Sequence, residues 1–493
     1  MPNSPSRSPF NFFADLARSP TRPHSPLSPQ TGRPLLASAA SASILRSATI
    51  SPTPPASPLS RSDATSPGRH FSSEASSLTA TNPGFDPRRT AFHEEPYTLS
   101  PEDGPYGYFP MRLGQTLRGG QYKIVRKLGY GTNSSVWLAK ETMPDGHRYV
   151  VIKVLSVVAT DAEYDDLYYE AAVAKSMSTF QVSDLAHPGY RHCAIIKRSF
   201  TEDSAHGEHL CVVFTPYGAS LRNILQTSPT CHLPLSAVKT VTKQVLLGLS
   251  FLEFKLQRVH TGHVCTSYPL TCIADVKLAN ILVELDTSTE EIDRFLANNP
   301  PQIYADSPPI DPRVSPHPIP AVRSQPLPNF GLDSSYANLH VRLIDYGTIR
   351  ADDIRPDTFI CTPTELRAPE MILGHAWSYP VEVWAVGCLV RAESSASSAF
   401  PSRTMDEYLA ILYDRLGPLP VDFVQRCANG RRNIDHQVGG SQDSLESRFA
   451  MLCDGLSAQD INATCRFLRK CLAIDPVDRP TISQLLQDEW LTT

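Results

Sequence analysis

The sequence predicts an α+β protein in two lobes, a five-stranded β-rich half followed by a mainly helical half, behind a long tail with no structure of its own. Three observations carry this expectation. Residues 1–105 are crowded with Ser, Pro, Ala and Thr and show no sustained apolar periodicity. Between Gln121 and Phe214, short runs alternate apolar and polar residues, with turn residues between them. From Leu235 onward the apolar spacing becomes helical. The 493 residues are enough for one large two-lobed domain plus extra segments. A net charge of −5 gives no global bias toward nucleic acid or membrane. Eleven cysteines are scattered without a C-x-x-C pair or a zinc-type spacing. No secretory signal opens the chain, and no apolar run nears the roughly 18 residues that span a bilayer. The expectation is an intracellular soluble protein with free thiols.

A stretch with the composition of residues 1–105 buries too little apolar surface to offset its chain entropy, so disorder is expected there. Ser-Pro recurs within it at Ser4, Ser8, Ser19, Ser25, Ser28, Ser51, Ser57, Ser66 and Ser100, which suits proline-directed phosphorylation. Its first 80 residues hold seven Arg and no Lys, with Asp15, Asp63 and Glu74 as the acids. That composition resembles a mitochondrial transit peptide, with Arg69-His70-Phe71-Ser72 as a processing site. The many prolines oppose it, leaving only Phe10–Arg18 free for an amphipathic helix. Cytoplasm or nucleus is the expected location, with the mitochondrion as the alternative.

Order is expected from Tyr106. Gln121–Lys127 reads as a half-buried strand leading into Gly129-Tyr130-Gly131-Thr132-Asn133-Ser134-Ser135-Val136, and Val136–Ala139 as the next strand. Two glycines between strands make a hairpin whose backbone N–H groups can close over phosphates; a plain turn fits the G-x-G as well. A third strand, Tyr149–Ile152, ends on Lys153, a cation that needs an anion if it points inward. Asp161–Phe180 reads as a helix with Glu170 near its middle, where it can pair with Lys153. Ala194–Phe200 and His209–Phe214 complete the strands, and Thr215–Gly218 reads as a hinge. Val238–Phe254 carries the face of a buried helix at Val241, Val245, Leu246, Leu249, Phe251 and Leu252. Residues 286–338 read as a proline-rich spacer or surface excursion, too long for a compact connection. Val341–Ile344 is a strand ending at Asp345-Tyr346-Gly347, where an aspartate can reach a metal. The tail Ile461–Leu491 is helical, with Asp475–Pro480 as a loop.

The chemistry concentrates in Val259–Leu282, VHTGHVCTSYPLTCIADVKLANIL. Asp275, Lys277 and Asn280 supply a carboxylate to orient a hydroxyl proton, a cation to neutralise a transferring phosphate and a carboxamide to hold Mg²⁺. Alone, D-x-K-x-x-N also fits a solvated turn before a strand. The order of parts is more specific: glycine hairpin, strand-end lysine, helix glutamate, D-x-K-x-x-N, D-Y-G, A-P-E (Ala368-Pro369-Glu370) and the late Arg479. In this order, residues 106–493 resemble the eukaryotic-type protein kinases, and among them the SR-protein kinase group in a divergent fungal form. Tyr108-Phe109-Pro110, Leu113-Gly114, Ser134 at the third loop-glycine position, Trp137 and the long 286–338 spacer add to the likeness.

The resemblance implies a two-lobed protein kinase fold, with an N-lobe over 106–217 and a C-lobe over 218–493. It implies ATP and Mg²⁺ as cofactors and a serine/threonine kinase, a monomer acting on protein substrates with Arg/Ser-rich segments, without nucleic-acid or membrane binding. Gly129, Gly131 and Val136 would cover ATP, and Lys153, paired to Glu170, would contact its α/β-phosphates. Asp275 would be the catalytic base and Lys277 would neutralise the γ-phosphate. Asn280 and Asp345 would hold Mg²⁺, Phe214 would narrow the pocket behind adenine, and Glu370 would pair with Arg479 inside the C-lobe.

The chain also departs from the family pattern. Tyr346 replaces Phe or Leu, and Leu278-Ala279 replaces Pro-Glu. The polar stretch RAESSASSAFPSR begins where a buried helix should continue. Residues 262–274 look inserted: without them His260-Thr261-Asp275 reads as the H-T-D of SR-protein kinases, and the codons these residues permit suit a retained intron. The alternative function is a pseudokinase scaffold that keeps the fold with little or no turnover.

Overall fold

A computed structural model describes residues 107–131, 133–164, 186–228, 230–259, 276–304, 321–345, 364–395, 405–430, 445–452 and 455–492. All belong to one compact unit, Thr81–Thr493; a second unit, Met1–Ala80, lies wholly outside the described residues. The expected disordered tail, Glu170, the 262–274 insertion, Asp275 and the stretch 346–363 also lie outside them.

The first lobe is an antiparallel six-stranded sheet in the order β1-β2-β3-β4-β6-β5. Its strands are β1 (Thr116–Leu117), β2 (Tyr122–Gly131), β3 (Ser134–Met143), β4 (Gly146–Leu155), β5 (Ile196–Ser204) and β6 (Gly207–Phe214), with helix α1 (Val157–Tyr164) between β4 and β5. The short β1, pairing Thr116 with Lys123, adds one strand to the expected five. Glycine opens both β4 and β6, at φ +135° and +139°, a backbone that side-chain-bearing residues rarely adopt. Strand alternation sorts the apolar side chains into two layers. Tyr149, Val151, Val212 and Phe214 join the large core shared with the second lobe. Val150, Ile152, Val154, Cys211 and Val213 join a separate cluster closed by Phe109, Met111 and Leu117. Lys153 falls in the parity of the first set and so faces the second lobe.

Past the hinge, β7 (Tyr217–Ser220) leads into α2 (Leu221–Thr227) and the long α3 (Leu235–Val259). Val238, Val241, Val245, Leu246, Leu249, Phe251 and Leu252 of α3 are buried, the face that the helical spacing predicts. Then come β8 (Ile281–Glu284), α4 (Thr289–Asn298) and β9 (Val341–Leu343), and β7, β8 and β9 form a small antiparallel sheet. The remaining helices are α5 (Pro369–Leu373), α6 (Pro380–Ser395), α7 (Met405–Leu416), α8 (Val421–Arg426), α9 (Leu445–Leu452), α10 (Ala458–Cys471), α11 (Ile482–Leu485) and α12 (Glu489–Thr492). The serine-rich departure does not stop α6: Arg391 and Ser394 are buried, and the Ser394 hydroxyl donates to the Val390 carbonyl at 2.7 Å.

Glu370 and Arg479, whose side chains are both 0 % exposed, form the expected pair, at 2.6 Å and 2.7 Å through two parallel bonds. Arg479 also donates to the carbonyls of Ala473, Ile474 and Pro380, so all five of its N–H groups are used. A buried ion pair is tolerated when every donor is satisfied in this way.

Residues 286–338 are not a bare excursion. Ser288 and Glu291 close a capping box that starts α4. Asp293 on α4 accepts from Lys140 Nζ and Tyr149 OH, both at 2.7 Å, and pairs with His147 at 3.0 Å. The buried Arg126 of β2 donates to the Asn299 carbonyl at the helix C-terminus and stacks 5.2 Å from the Phe295 ring centroid. Val322 is buried in the outer cluster of the first lobe. Asn329 Oδ1 accepts from the Ala219 N–H at 2.7 Å, just past the hinge. The proline content obscured this because the helix, 289–298, is itself free of proline but is followed at once by the proline-rich run that starts at Pro300.

Candidate active site

Three of the expected nucleotide residues lie in one row across the sheet. Gly129 on β2 is opposite Val136 on β3, which is opposite Lys153 on β4. Directly opposed residues share a face of an antiparallel sheet, so all three address the cleft side. Gly131 pairs with Ser134 where the hairpin closes. A Cβ placed on Gly129 would meet nothing within 4 Å, and neither Gly129 nor Gly131 has positive φ. The chain itself does not require these glycines. Open space over a bare backbone suits close approach by a phosphate-bearing ligand.

From the other lobe, β8 and β9 bring Asn280 and Asp345 to one end of the small sheet. Ile281 is opposite Leu343, so the residue just before β8 and the residues just after β9 converge, and the Ile344 N–H donates to the Asn280 carbonyl at 2.9 Å. Asn280 is 6 % exposed and closes a short 3-10 turn, Leu278–Asn280, that follows Lys277. Asp345 has φ +61°, a left-handed conformation that Asp tolerates better than most residues.

Across the cleft, Lys153 Nζ donates to Asp345 Oδ1 at 2.7 Å. The Lys153 ammonium holds the Asp345 carboxyl below its ordinary range; burial opposes this, and Lys277 adds to it. Lys153, Lys277, Asn280 and Asp345 are thus grouped, and Phe214 ends β6 opposite Val151 beside the hinge. An ionised carboxylate beside a buried carboxamide is a hard-oxygen donor set of the kind Mg²⁺ takes. Glu170 and Asp275, the expected partner of Lys153 and the expected base, lie outside the described residues.

Two features escaped the sequence reading. Tyr108 donates its hydroxyl to the Gly131 carbonyl at 2.7 Å. The Asp293 contacts reach Lys140 of β3 and Tyr149 of β4, on the same face of the sheet as Lys153. Neither has a local signal, since the partners are 23 and 144–153 residues apart.

The family model for the protein kinase domain matches residues 329–491. A serine/threonine protein kinase of Aspergillus fumigatus is 26 % identical over 394 residues, covering 78 % of this chain and 87 % of that protein. The serine/threonine-protein kinase SRPK of Physarum polycephalum is 25 % identical over 417 residues, covering 78 % and 89 %. The human dual specificity protein kinase CLK1 is 24 % identical over 397 residues, covering 79 % and 69 %. A crystal structure of a kinase domain superposes with a TM-score of 0.52 at 20 % identity, covering 78 % of this chain and 98 % of that one. Fold, site and relatives together define a eukaryotic-type protein kinase with the two-lobed kinase fold. The chain is a protein serine/threonine kinase, similar to the SR-protein kinase group.

Proposed function

We propose that this kinase transfers the γ-phosphate of ATP to serine or threonine in Arg/Ser-rich protein segments, with Mg²⁺ held by Asn280 and Asp345. The observation that carries the reading is the Lys153–Asp345 contact at 2.7 Å, which joins residues 192 apart across the cleft. Bound Mg²⁺ would supply charge neutralisation at the phosphates. Lys153 would hold the α/β-phosphates, and Lys277 would offset charge on the transferring group. Asp275 would orient the acceptor hydroxyl. Gly129, Gly131 and Val136 would cover the nucleotide, and Phe214 would bound its pocket. The lobes would divide at 217/218, within β7, the first strand of the small sheet, three residues after β6 ends at Phe214. The Arg/Ser preference rests on the likeness to SR-protein kinases, and Ser6-Arg7-Ser8 and Ser60-Arg61-Ser62 make the chain's own tail a substrate for autophosphorylation. We place the enzyme in the cytoplasm or nucleus as a monomer.

The test is paired: ATP turnover on arginine–serine peptides, and Mg²⁺-dependent ATP binding. Turnover with a preference for arginine beside the acceptor serine supports the proposal. Turnover without that preference removes the substrate class. Binding without turnover favours the pseudokinase scaffold, and neither binding nor turnover removes both readings.

A further inference from the structure

The segment before β1 is built into the glycine hairpin. Tyr108 is 5 % exposed, and its hydroxyl donates to the carbonyl of Gly131, the last residue of β2. Backbone bonds hold the same neighbourhood from two sides: the Val157 N–H donates to the Gly107 carbonyl at 3.1 Å, and the Ser156 N–H to the Asn133 carbonyl at 2.8 Å. Phe109 sits edge-on to the His209 ring, 5.0 Å between centroids, and His209 is itself tied to the Leu155 carbonyl at 2.8 Å. Phe109 and Met111 are buried in the outer cluster of the first lobe. A rigid anchor therefore ends in a phenol pointed at Gly131, where β2 ends.

From this geometry we propose that Tyr108 is a positioning residue for the phosphate-binding hairpin. The proposal rests on the reading that this hairpin covers ATP. Glycine has more backbone freedom to lose than any other residue, so Gly131 gains order only from partners outside it. A Cβ at Gly131 would find only the Ser134 Oγ, at 4.0 Å, so side-chain packing does not fix this position. The Tyr108 ring is stiff and buried, and its hydroxyl sets where the Gly131 carbonyl sits, which in turn sets where the adjoining peptide N–H groups point. Those groups meet phosphates and not adenine, so the effect falls on ATP and spares adenosine.

The experiment is calorimetric titration of the full chain and of Tyr108→Phe with ATP plus Mg²⁺, and separately with adenosine, alongside thermal melts. Phe keeps the ring and its packing and removes only the hydroxyl. Loss of one hydrogen bond predicts ATP binding weaker by about two- to tenfold, adenosine binding unchanged and a melting temperature near that of the unsubstituted protein. Unchanged ATP affinity in the variant overturns the proposal. So does a parallel loss of ATP and adenosine binding with a lowered melt, which marks a merely structural tyrosine. If the unsubstituted protein binds adenosine but gains nothing from the phosphates of ATP, the reading of the hairpin itself fails and the proposal falls with it.

Discussion

Lys153 and Asp345 matter as a pair because phosphoryl transfer is mostly positioning and charge neutralisation. Lys153→Ala and Asp345→Asn should each abolish transfer to a peptide while far-ultraviolet circular dichroism stays that of the parent. Near-normal turnover of either purified variant would remove the assignment of these residues. The pair also carries a pH signature. The folded carboxyl of Asp345 titrates below its ordinary value of 3.8 because Lys153 favours the anion. Its contribution to stability is therefore complete above the unfolded value and is lost as pH falls through the lower, folded one. The melting-temperature gap between the parent and Asp345→Asn should stay constant from pH 8 down to about 5 and close only below about 4. Glu370 differs because nothing around it is wet. Glu370→Gln leaves the fully buried Arg479 without its counter-charge and should destabilise the fold by about 3–5 kcal/mol in denaturant titration. An unfolding midpoint equal to the parent's would show that the carbonyl bonds alone hold Arg479.

Single strands and helices were legible wherever their apolar period was unbroken. Tyr149–Ile152, His209–Phe214 and the buried face of α3 could be read from spacing alone, because side-chain parity in a strand and the 3.6-residue period in a helix are local properties. Helix α4 was passed over. Thr289–Asn298 carries Ile292, Phe295 and Leu296 at helical spacing, Ile292 buried and the other two packed against the core, but this signal lasts only about one turn and stands next to a proline-rich run. Its polar anchors, Asp293 to Lys140, Tyr149 and His147 and the helix end to Arg126, have partners far away in the chain and leave no local signal. The placement has physical sense, since the Arg126 cation lies at the negative end of the helix dipole. Asp293→Ala should cost about 1 kcal/mol, as befits half-exposed charged bonds, and should raise amide exchange across the β3–β4 hairpin. Exchange rates unchanged in that hairpin would mean that α4 rests on the sheet without bracing it.

At the scale of the whole molecule, the catalytic reading depends on residues delivered from both lobes to one cleft, and the route to Asp275 is the unusual part. Lys277, Asn280 and Asp345 are fixed by the turn at 278–280 and by the β8–β9 register, both independent of what precedes Asp275. The order of motifs made this half of the site legible, since D-x-K-x-x-N and D-Y-G each sit at the edge of an apolar strand. What the motifs did not reveal is how the lobes are braced around the site, because the brace is α4 and the polar contacts it makes. Between His260 and Asp275 the chain carries 262–274, which lies outside the described residues. If those residues are foreign to the catalytic loop, their cost should fall on the base and spare the nucleotide, whose row at Gly129, Val136 and Lys153 is set within the sheet. Deleting 262–274 joins His260-Thr261 directly to Asp275. The shortened chain should then turn over ATP up to about 10²-fold faster, the scale of loss that a small misplacement of a reacting group brings. Its affinity for ATP should stay that of the parent. Equal turnover numbers for the two chains would identify 262–274 as a neutral surface loop, and a collapse of ATP binding on deletion would show that the segment holds the cleft together.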